Sequence, residues 1–290
     1  MRLATMTSHG ESRVVGVSLE AGETRFVDLR AADADLPKTL ITLLAREDGL
    51  SRAAAALQRG LVEERFLTGT LDAPIPNPGK VICIGLNYRD HAAESGMAVP
   101  SEPVCFSKFS SAVIGPNTDI ELPPAAKQVD YEAELVAVIG RRGIRIAESD
   151  ARTYVAGYMN GNDVSVRDWQ FHSPTWMTGK GFDTHGPIGP WLVTRDEVDP
   201  SVLDVRTFVN DELKQESNTN QLIFDVGDII EYLSAACTLE PGDVIFTGTP
   251  AGVGVAHRPP QFLKAGDTVR VEIAGLGSLE NPVIAEPRGE

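Results

Sequence analysis

The centre of this chain is the sequence DYEAELVAVIG, residues 130–140. The apolar, β-branched run that begins at Leu135 predicts a strand ending at Gly140. Because side chains alternate between the two faces of a strand, Glu132 and Glu134 point in the same direction. Two neighbouring carboxylates repel each other and resist burial, and a cation between them removes both difficulties. The stretch is therefore either a solvated edge strand or part of a metal site.

A third carboxylate follows in the sequence NGNDV, residues 160–164, at Asp163. Hard oxygen ligands favour Mg²⁺, Mn²⁺ or Ca²⁺ over Zn²⁺. The sequence therefore offers Glu132, Glu134 and Asp163 as candidate metal ligands, with solvent-facing acids as the alternative interpretation.

The composition is that of a soluble globular protein. The chain has 290 residues, of which 42% are hydrophobic and 23% are charged, and no apolar run approaches membrane-spanning length. A formal net charge of −15 argues against nucleic acid or an anionic membrane as a partner. An anionic small-molecule substrate would therefore need a local cation in its site.

The cysteines bear on the compartment. Cys83, Cys105 and Cys237 are odd in number, stand in apolar surroundings and lack the spacing of a metal site. The first ten residues lack the apolar core of a signal peptide. Reduced thiols are typical of intracellular proteins, so we expect a cytoplasmic location.

The N-terminal part of the chain differs in pattern from the rest. A hairpin is predicted near residues 14–29, and leucines recur at helical spacing from Leu40 onward. A stiff proline-containing linker, residues 74–78, follows. We therefore predict a small N-terminal domain, residues 1–72, and a main domain, residues 73–290, whose many short strands favour a β-rich α+β fold.

A short predicted helix stopped at Gly96 carries two residues suited to proton transfer. His91 and Glu94 are three positions apart and therefore neighbours on one helix face. Such a pair can hold the imidazole in one tautomer and deprotonate a water. The alternative interpretation is a surface ion pair or a capping histidine.

Further polar residues stand near turns in the second half of the chain. Lys180 lies between two glycines, where the backbone can approach a ligand closely, and is otherwise an ordinary turn lysine. Arg167 and Gln170 follow shortly after Asp163. The glycine-rich loop at residues 248–254 lacks the ending of a phosphate-binding loop, and we interpret it as a loop at the edge of a site.

In their order along the chain these motifs resemble the fumarylacetoacetate hydrolase (FAH) family, in the subgroup of FAH domain-containing acylpyruvate hydrolases. The resemblance covers roughly Lys80 to the C-terminus. It is carried by six motifs: GLNY at 85–88 with His91 and Glu94, FSK at 106–108, DYEAE at 130–134, NDVS at 162–165 with RDWQ at 167–170, GKGFD at 179–183, and GTP at 248–250 with GVG at 252–254.

The resemblance implies a mixed β-sandwich or roll with a small N-terminal domain, in a homodimer. It implies Mg²⁺ or Mn²⁺ as the metal, with Ca²⁺ also able to bind, held by Glu132, Glu134 and Asp163. The catalytic residues would be His91, Glu94 and Lys180, and the substrate contacts would be Arg167, Gln170 and Thr249.

The expected reaction is hydrolysis of the C–C bond in a 2,4-dioxo acid of the acylpyruvate or fumarylpyruvate type, which gives pyruvate and a carboxylic acid. His91, oriented by Glu94, would deprotonate the attacking water, and Lys180 would stabilise the developing oxyanion. The same enolate arises in oxaloacetate decarboxylation, in tautomerisation and in a hydratase or isomerase reaction, which are alternatives. A non-catalytic protein that binds an oxo acid or a metal is a second alternative.

Overall fold

The computed structural model of the protein describes residues 1–20 and 22–287. None of its helices in those ranges is long and apolar enough to cross a membrane. The strands are β1 Arg2–Ser8, β2 Glu11–Glu20, β3 Glu23–Asp28, β4 Thr70–Asp72, β5 Val81–Gly85, β6 Val104–Lys108, β7 Val113–Ile114, β8 Ile120–Leu122, β9 Val129–Asp130, β10 Ala133–Ile139, β11 Val155–Asn162, β12 Ser165–Val166, β13 Gly186–Thr194, β14 Asp204–Val209, β15 Glu212–Asn218, β16 Val244–Phe246, β17 Thr268–Ile273 and β18 Gly277–Ala285. The α-helices are α1 Leu29–Ala32, α2 Leu40–Leu44, α3 Gly49–Val62, α4 Arg89–Ser95, α5 Glu148–Ala151, α6 Arg167–Gln170, α7 Met177–Lys180 and α8 Val226–Ala236.

Two sheets make up most of the molecule. The larger has 11 strands with the path β3-β2-β1-β13-β11-β10-β16-β5-β6, while β4 pairs with β1 and β7 with β13. The smaller has five strands in the order β15-β14-β17-β18-β8. One apolar cluster joins residues of both sheets, such as Leu135 and Val193 with Val205 and Ile273. The prediction of a β-rich α+β fold is confirmed.

The central strand β10 is buried on both faces. Leu135 and Ala137 contribute to the core between the two sheets, whereas Val136 and Val138 contribute to a second core on the opposite face. Its neighbours are β11 and β16, so it has no free edge. This explains the continuous apolar run in the sequence and excludes the solvated edge strand.

The N-terminal residues complete the second face of the large sheet. β1 pairs with β13, and β2 and β3 extend the sheet beyond it. Leu40 of α2 and Leu57 of α3 pack in the same core as Val136. Residues 1–72 thus share a sheet and a core with the rest of the chain, and the division at residue 72 stays a prediction.

The register of β10 against β11 brings acidic residues together. Ala133 faces Asn162 across the antiparallel pair, so the residues just outside this pair, Glu132 and Asp163, are neighbours. The backbone N–H of Asp163 donates to the carbonyl of Glu132 at 2.9 Å. β5 and β16 are parallel to each other and end at this same edge of the sheet.

Asn87 connects three segments at this edge. Its side chain is fully buried, and its Nδ2 donates to the carbonyls of Thr247 (2.7 Å) and Phe224 (2.9 Å). Its Oδ1 accepts from the backbone N–H of Phe224 at 2.8 Å. Asn87 therefore ties the loop between β5 and α4 to the end of β16 and to the segment that precedes α8.

We predict that Asn87→Ala lowers the free energy of unfolding by about 2–3 kcal/mol, because the buried carbonyl of Thr247 and the partly buried backbone groups of Phe224 lose their partner. Urea denaturation measures the change. Asn220→Ala is the matched control, since Asn220 is exposed and a surface substitution changes stability by less than about 0.5 kcal/mol. Equal losses in the two variants would contradict the bridging role.

Candidate active site

A cavity of about 330 Å³ opens where β5 and β16 end. Ligand pockets run from about 300 to 1,000 Å³, so this one suits a small substrate. It brings together eight of the nine residues that the sequence singles out: His91, Glu94, Glu132, Glu134, Arg167, Gln170, Lys180 and Thr249. The ninth, Asp163, is fully buried next to Glu132 and does not itself line the cavity.

Three carboxylates form a buried cluster at the inner wall. Glu132, Glu134 and Asp163 each offer an oxygen that lies within 4.8 Å of the other two. The register of β10 against β11 and the alternation of side chains along β10 produce this arrangement. The convergence of the three predicted ligands is thus a property of the sheet.

Two of the predicted site residues are buried cations that contact this cluster. Nζ of Lys180 lies 2.7 Å from both Glu132 Oε2 and Asp163 Oδ2. Nη2 of Arg167 lies 2.7 Å from Glu132 Oε1 and 2.9 Å from Asp130 Oδ2. Arg167 also donates from Nη1 to Gln170 Oε1 at 3.0 Å. Arg167, Gln170 and Lys180 therefore act on one charge network.

Lys180 does not lie in an open turn. It is the last residue of the short helix α7 and is almost completely buried. Its neighbour Gly179 is needed for packing, because a Cβ there would lie 2.3 Å from Cα of Gln170. Gly179 thus permits close contact between α6 and α7.

The network shifts the pKa values of its members in opposite directions. Burial alone would raise the pKa of Glu132, but the charges of Lys180 and Arg167 outweigh it and hold this pKa at about 2. Burial, followed by repulsion from Asp163 and Glu132, raises the pKa of Glu134 well above its ordinary value. Burial would lower the pKa of Lys180, yet Asp163 and Glu132 raise it to about 12. Glu134 is therefore the carboxylate that lacks charge compensation.

The cluster fits a divalent cation. Glu134 accepts a hydrogen bond from the backbone N–H of Gly248 at 2.6 Å, and no Lys, Arg or His of residues 1–20 and 22–287 forms an ion pair with it. A hard cation among Glu132, Glu134 and Asp163 would supply the missing positive charge, and carboxylate oxygens are the donors that Mg²⁺ and Mn²⁺ prefer.

Two further residues belong to the network and were not predicted as site residues. Lys108 is buried, with Nζ 2.6 Å from Asp163 Oδ1 and 3.1 Å from the carbonyl oxygen of Val164. Asp130 accepts from the backbone N–H groups of Gly254 (2.7 Å) and Val255 (2.9 Å). The available signals were a lysine at the end of a largely apolar strand and an acid two positions before the Glu-x-Glu pair.

His91 and Glu94 lie on α4, as the spacing predicts. His91 Nδ1 is 3.2 Å from Glu94 Oε2, and Glu94 Oε1 accepts from the backbone N–H of Gly252 at 2.9 Å. Burial would raise the pKa of Glu94, but the hydrogen bond with His91 contributes to a net lowering. The arrangement leaves Nε2 of the imidazole as the nitrogen that can exchange a proton with a ligand.

Thr249 is held by a residue that the sequence does not point to. Gln215 on β15 donates from Nε2 to Thr249 Oγ1 and to the carbonyl of Pro250, both at 2.9 Å. Gln215 Oε1 accepts from the backbone N–H of Ala133 at 2.9 Å. An internal glutamine thus fixes the loop after β16 relative to β10.

An aromatic wall borders the cavity. Trp176 and Phe106 lie with ring centroids 5.6 Å apart in an edge-to-face arrangement, and Lys180 Nζ is 5.0 Å from the centroid of Phe106. Gly85 is required beneath Trp176, because a Cβ there would lie 2.5 Å from the indole ring. The two rings give the cavity an apolar side next to Lys180.

Comparison with known proteins identifies the family. The model of the family described as "Fumarylacetoacetate (FAA) hydrolase C-terminal" matches residues 80–284. The mitochondrial oxaloacetate tautomerase fahd2 of Xenopus laevis is 46% identical over 289 residues, which covers 98% of this chain and 90% of the relative. The human mitochondrial oxaloacetate tautomerase FAHD2A is 46% identical over 262 residues, or 89% of this chain and 83% of the relative.

Solved structures give the same result. Fumarylacetoacetate hydrolase from Exiguobacterium antarcticum has a TM-score of 0.85 at 35% identity and covers 99% of this chain and 100% of its own. Maleylpyruvate hydrolase from Sphingobium sp. SYK-6, in complex with manganese(II) and pyruvate, has a TM-score of 0.78 at 31% identity, with coverage of 99% and 100%.

The expectation of a cytoplasmic location is wrong on this comparison, because the relatives in Xenopus laevis and human are named as mitochondrial proteins. Reduced cysteines indicate a reducing compartment and do not distinguish one such compartment from another. The prediction of the family, by contrast, is confirmed over both the matched region and the full length. The chain belongs to the fumarylacetoacetate hydrolase family and is an enzyme of that family.

Proposed function

We propose that the protein is an oxaloacetate tautomerase, which interconverts the keto and enol forms of this 2-oxo dicarboxylic acid. The observation that carries the proposal is the 46% identity to an oxaloacetate tautomerase over 98% of the chain. Tautomerisation is one of the reactions that the sequence leaves open, and it fits the relatives better than C–C bond hydrolysis does. The same relatives are named as mitochondrial proteins and support a mitochondrial location. Assembly as a homodimer stays a prediction.

The proposed reaction needs one proton to leave C3 and one to arrive at the 2-oxo oxygen. His91 is the base that takes the C3 proton, and Glu94 holds the imidazole through its Nδ1–H. The electron pair of the C–H bond becomes the C2=C3 double bond, and the oxygen at C2 is protonated. No water attacks, so the site needs a positioned base and a stabilised oxygen.

Positive charge at the inner wall supports this chemistry. Glu132, Glu134 and Asp163 would hold Mg²⁺ or Mn²⁺, and such an ion, when bound, polarises the 2-oxo group and lowers the energy of developing negative charge. Arg167 and Lys180 contribute permanent charge at the same wall, and Gln170 orients Arg167. Their positions allow them to bind the carboxylate next to the 2-oxo group.

Hydrolysis of an acylpyruvate is the second candidate. It is favoured by the likeness to the maleylpyruvate hydrolase that was solved with manganese(II) and pyruvate. In that reaction His91 would deprotonate water instead of C3. The same residues serve both reactions. The reactions differ in that hydrolysis breaks a C–C bond of the substrate and tautomerisation does not.

The first prediction for this site concerns His91 and Glu94. Each alanine variant should lower kcat for exchange of the C3 protons of oxaloacetate into D₂O by about 10²-fold or more. The double variant should be little worse than either single one, since the pair acts as a unit. Proton NMR, corrected for the uncatalysed exchange, measures the rate, and His9→Asn in the remote β1–β2 turn is the control.

Release of pyruvate from acetopyruvate by the same preparations distinguishes the two candidate reactions. We expect the wild-type protein to exchange oxaloacetate protons faster than it cleaves acetopyruvate. The reverse order of rates would favour the hydrolase.

The second prediction concerns the metal. Chelation should abolish activity, and Mg²⁺ or Mn²⁺ should restore it. Glu134→Gln, which keeps the shape of the side chain and removes its charge, should weaken Mn²⁺ binding by about tenfold or more in a calorimetric titration. Glu216→Gln, at the exposed end of a surface pair with Arg206, should bind Mn²⁺ as the wild type does. Full activity in protein shown by elemental analysis to be metal-free would refute the metal site.

The third prediction concerns the stability of the metal-free protein. Lys180→Met leaves Glu132 and Asp163 without their shared buried cation, so the free energy of unfolding should fall by about 3–5 kcal/mol. Added Mn²⁺ should recover much of this loss, because the ion restores positive charge. Urea denaturation with and without Mn²⁺ measures both effects. Lys264→Met, at an exposed position, is the control, and a metal-free Lys180→Met protein as stable as that control would count against the network.

A further inference from the structure

We propose that Arg258 binds the second carboxylate of the substrate and thereby selects 2-oxo dicarboxylic acids over 2-oxo monocarboxylic acids. The proposal deepens the proposed function and rests on it. Arg258 lines the same cavity as the carboxylate cluster, on the loop that follows β16. It has no part in the charge network described above.

The first argument is the distribution of positive charge in the cavity. Three permanent cations line it: Arg167, Lys180 and Arg258. Arg167 and Lys180 are each paired with buried carboxylates. Within the ranges 1–20 and 22–287, Arg258 forms no ion pair. It is therefore the cavity cation whose charge the protein itself does not compensate.

The second argument is the orientation of the guanidinium. Nη1 of Arg258 donates to the carbonyls of His257 (3.1 Å) and Ala256 (3.3 Å), at the end of the single helical turn at residues 254–256. Its Nε and Nη2 make no hydrogen bond to the part of the chain that the structure describes. One side of the group is thus anchored, and the other presents the paired N–H groups that match a carboxylate.

The third argument is the charge of the substrate. Oxaloacetate is a dianion at neutral pH, because carboxylic acids titrate near pH 4. If the carboxylate beside the 2-oxo group binds at the inner wall, the second one needs another cation. The chain carries a net charge of −15, and Glu94 adds negative charge to the cavity itself. Much of the remaining lining is apolar, as at Met97, Val253 and Val255, and does not compensate a carboxylate.

A purely structural role for Arg258 makes a different prediction. If the side chain only binds the carbonyls that end the helical turn, its loss should lower stability and affect all substrates alike. If it binds the distal carboxylate, the loss should depend on whether the ligand carries that group. The matched pair of ligands is oxaloacetate and 2-oxobutanoate, in which a methyl group replaces the second carboxylate.

The experiment compares Arg258→Gln and Arg258→Lys with the wild-type holoenzyme. For Arg258→Gln we expect KM for oxaloacetate to rise about tenfold or more, with kcat changed much less and the inhibition constant of 2-oxobutanoate unchanged. Arg258→Lys should retain most of the affinity because it keeps the charge. Arg142→Gln removes the same charge from the surface, where Arg142 pairs with Glu240, and should leave KM unchanged.

Three outcomes decide the matter. A rise in KM confined to oxaloacetate supports the role of Arg258. Equal changes for oxaloacetate and 2-oxobutanoate, or no change, overturn it while leaving the tautomerase proposal standing. If the wild-type protein does not turn over oxaloacetate, the proposed function is wrong, and the dissociation constants of oxaloacetate and 2-oxobutanoate, measured by calorimetry on wild type and Arg258→Gln, still decide whether Arg258 reads the second carboxylate.

Discussion

Buried negative charge is the constraint on which this structure depends. Four carboxylates are almost completely buried at one edge of the central sheet, and three buried cations lie among them: Asp130, Glu132, Glu134 and Asp163 with Lys108, Arg167 and Lys180. Buried charges are tolerated only when they are paired and hydrogen-bonded. Arg167 and Lys180 lie on the short helices α6 and α7, which place them against the cluster. Asp130 also accepts a hydrogen bond from the backbone N–H of Gly254 and so holds that loop. The conformation of this region therefore depends on the pairing of these buried charges.

Strand register is the second requirement. Glu132 and Glu134 lie beside Asp163 only while β10 keeps its pairing with β11, because a slip of one residue moves every side chain of the strand to the opposite face. Both faces of β10 are packed in apolar cores, so such a slip would also bury the wrong side chains. The packing that stabilises the sheet thus aligns the acids as well. Gln215 reinforces the alignment by joining the start of β10 to the loop that carries Thr249.

Much of the fold around the site could be predicted from the sequence because the patterns that indicate it are local. The apolar run of β10, the three-residue spacing of His91 and Glu94, and the stop at Gly96, which takes a left-handed conformation, all act over a few residues. The contacts of Lys108 and Gln215 depend on segments distant in the chain, and no spacing encodes them. The burial of Lys180 was missed for the same reason, since its glycine neighbours are equally typical of a turn. The family resemblance supplied the long-range arrangement that local patterns lack.

The acids are held by the central sheet, whereas the base is held by a short helix outside it. The carboxylates lie in or beside strands that are paired on both sides, whereas His91 and Glu94 lie on a short helix whose Asp90 and Glu94 accept hydrogen bonds from the loop after β16. A change within α4 can therefore shift the base while the strands that hold the acids stay paired, whereas the loop after β16 is bound to the buried Asp130 and Gln215. Proteins named as an oxaloacetate tautomerase and as a maleylpyruvate hydrolase are both similar to this chain, so one architecture is compatible with more than one named reaction.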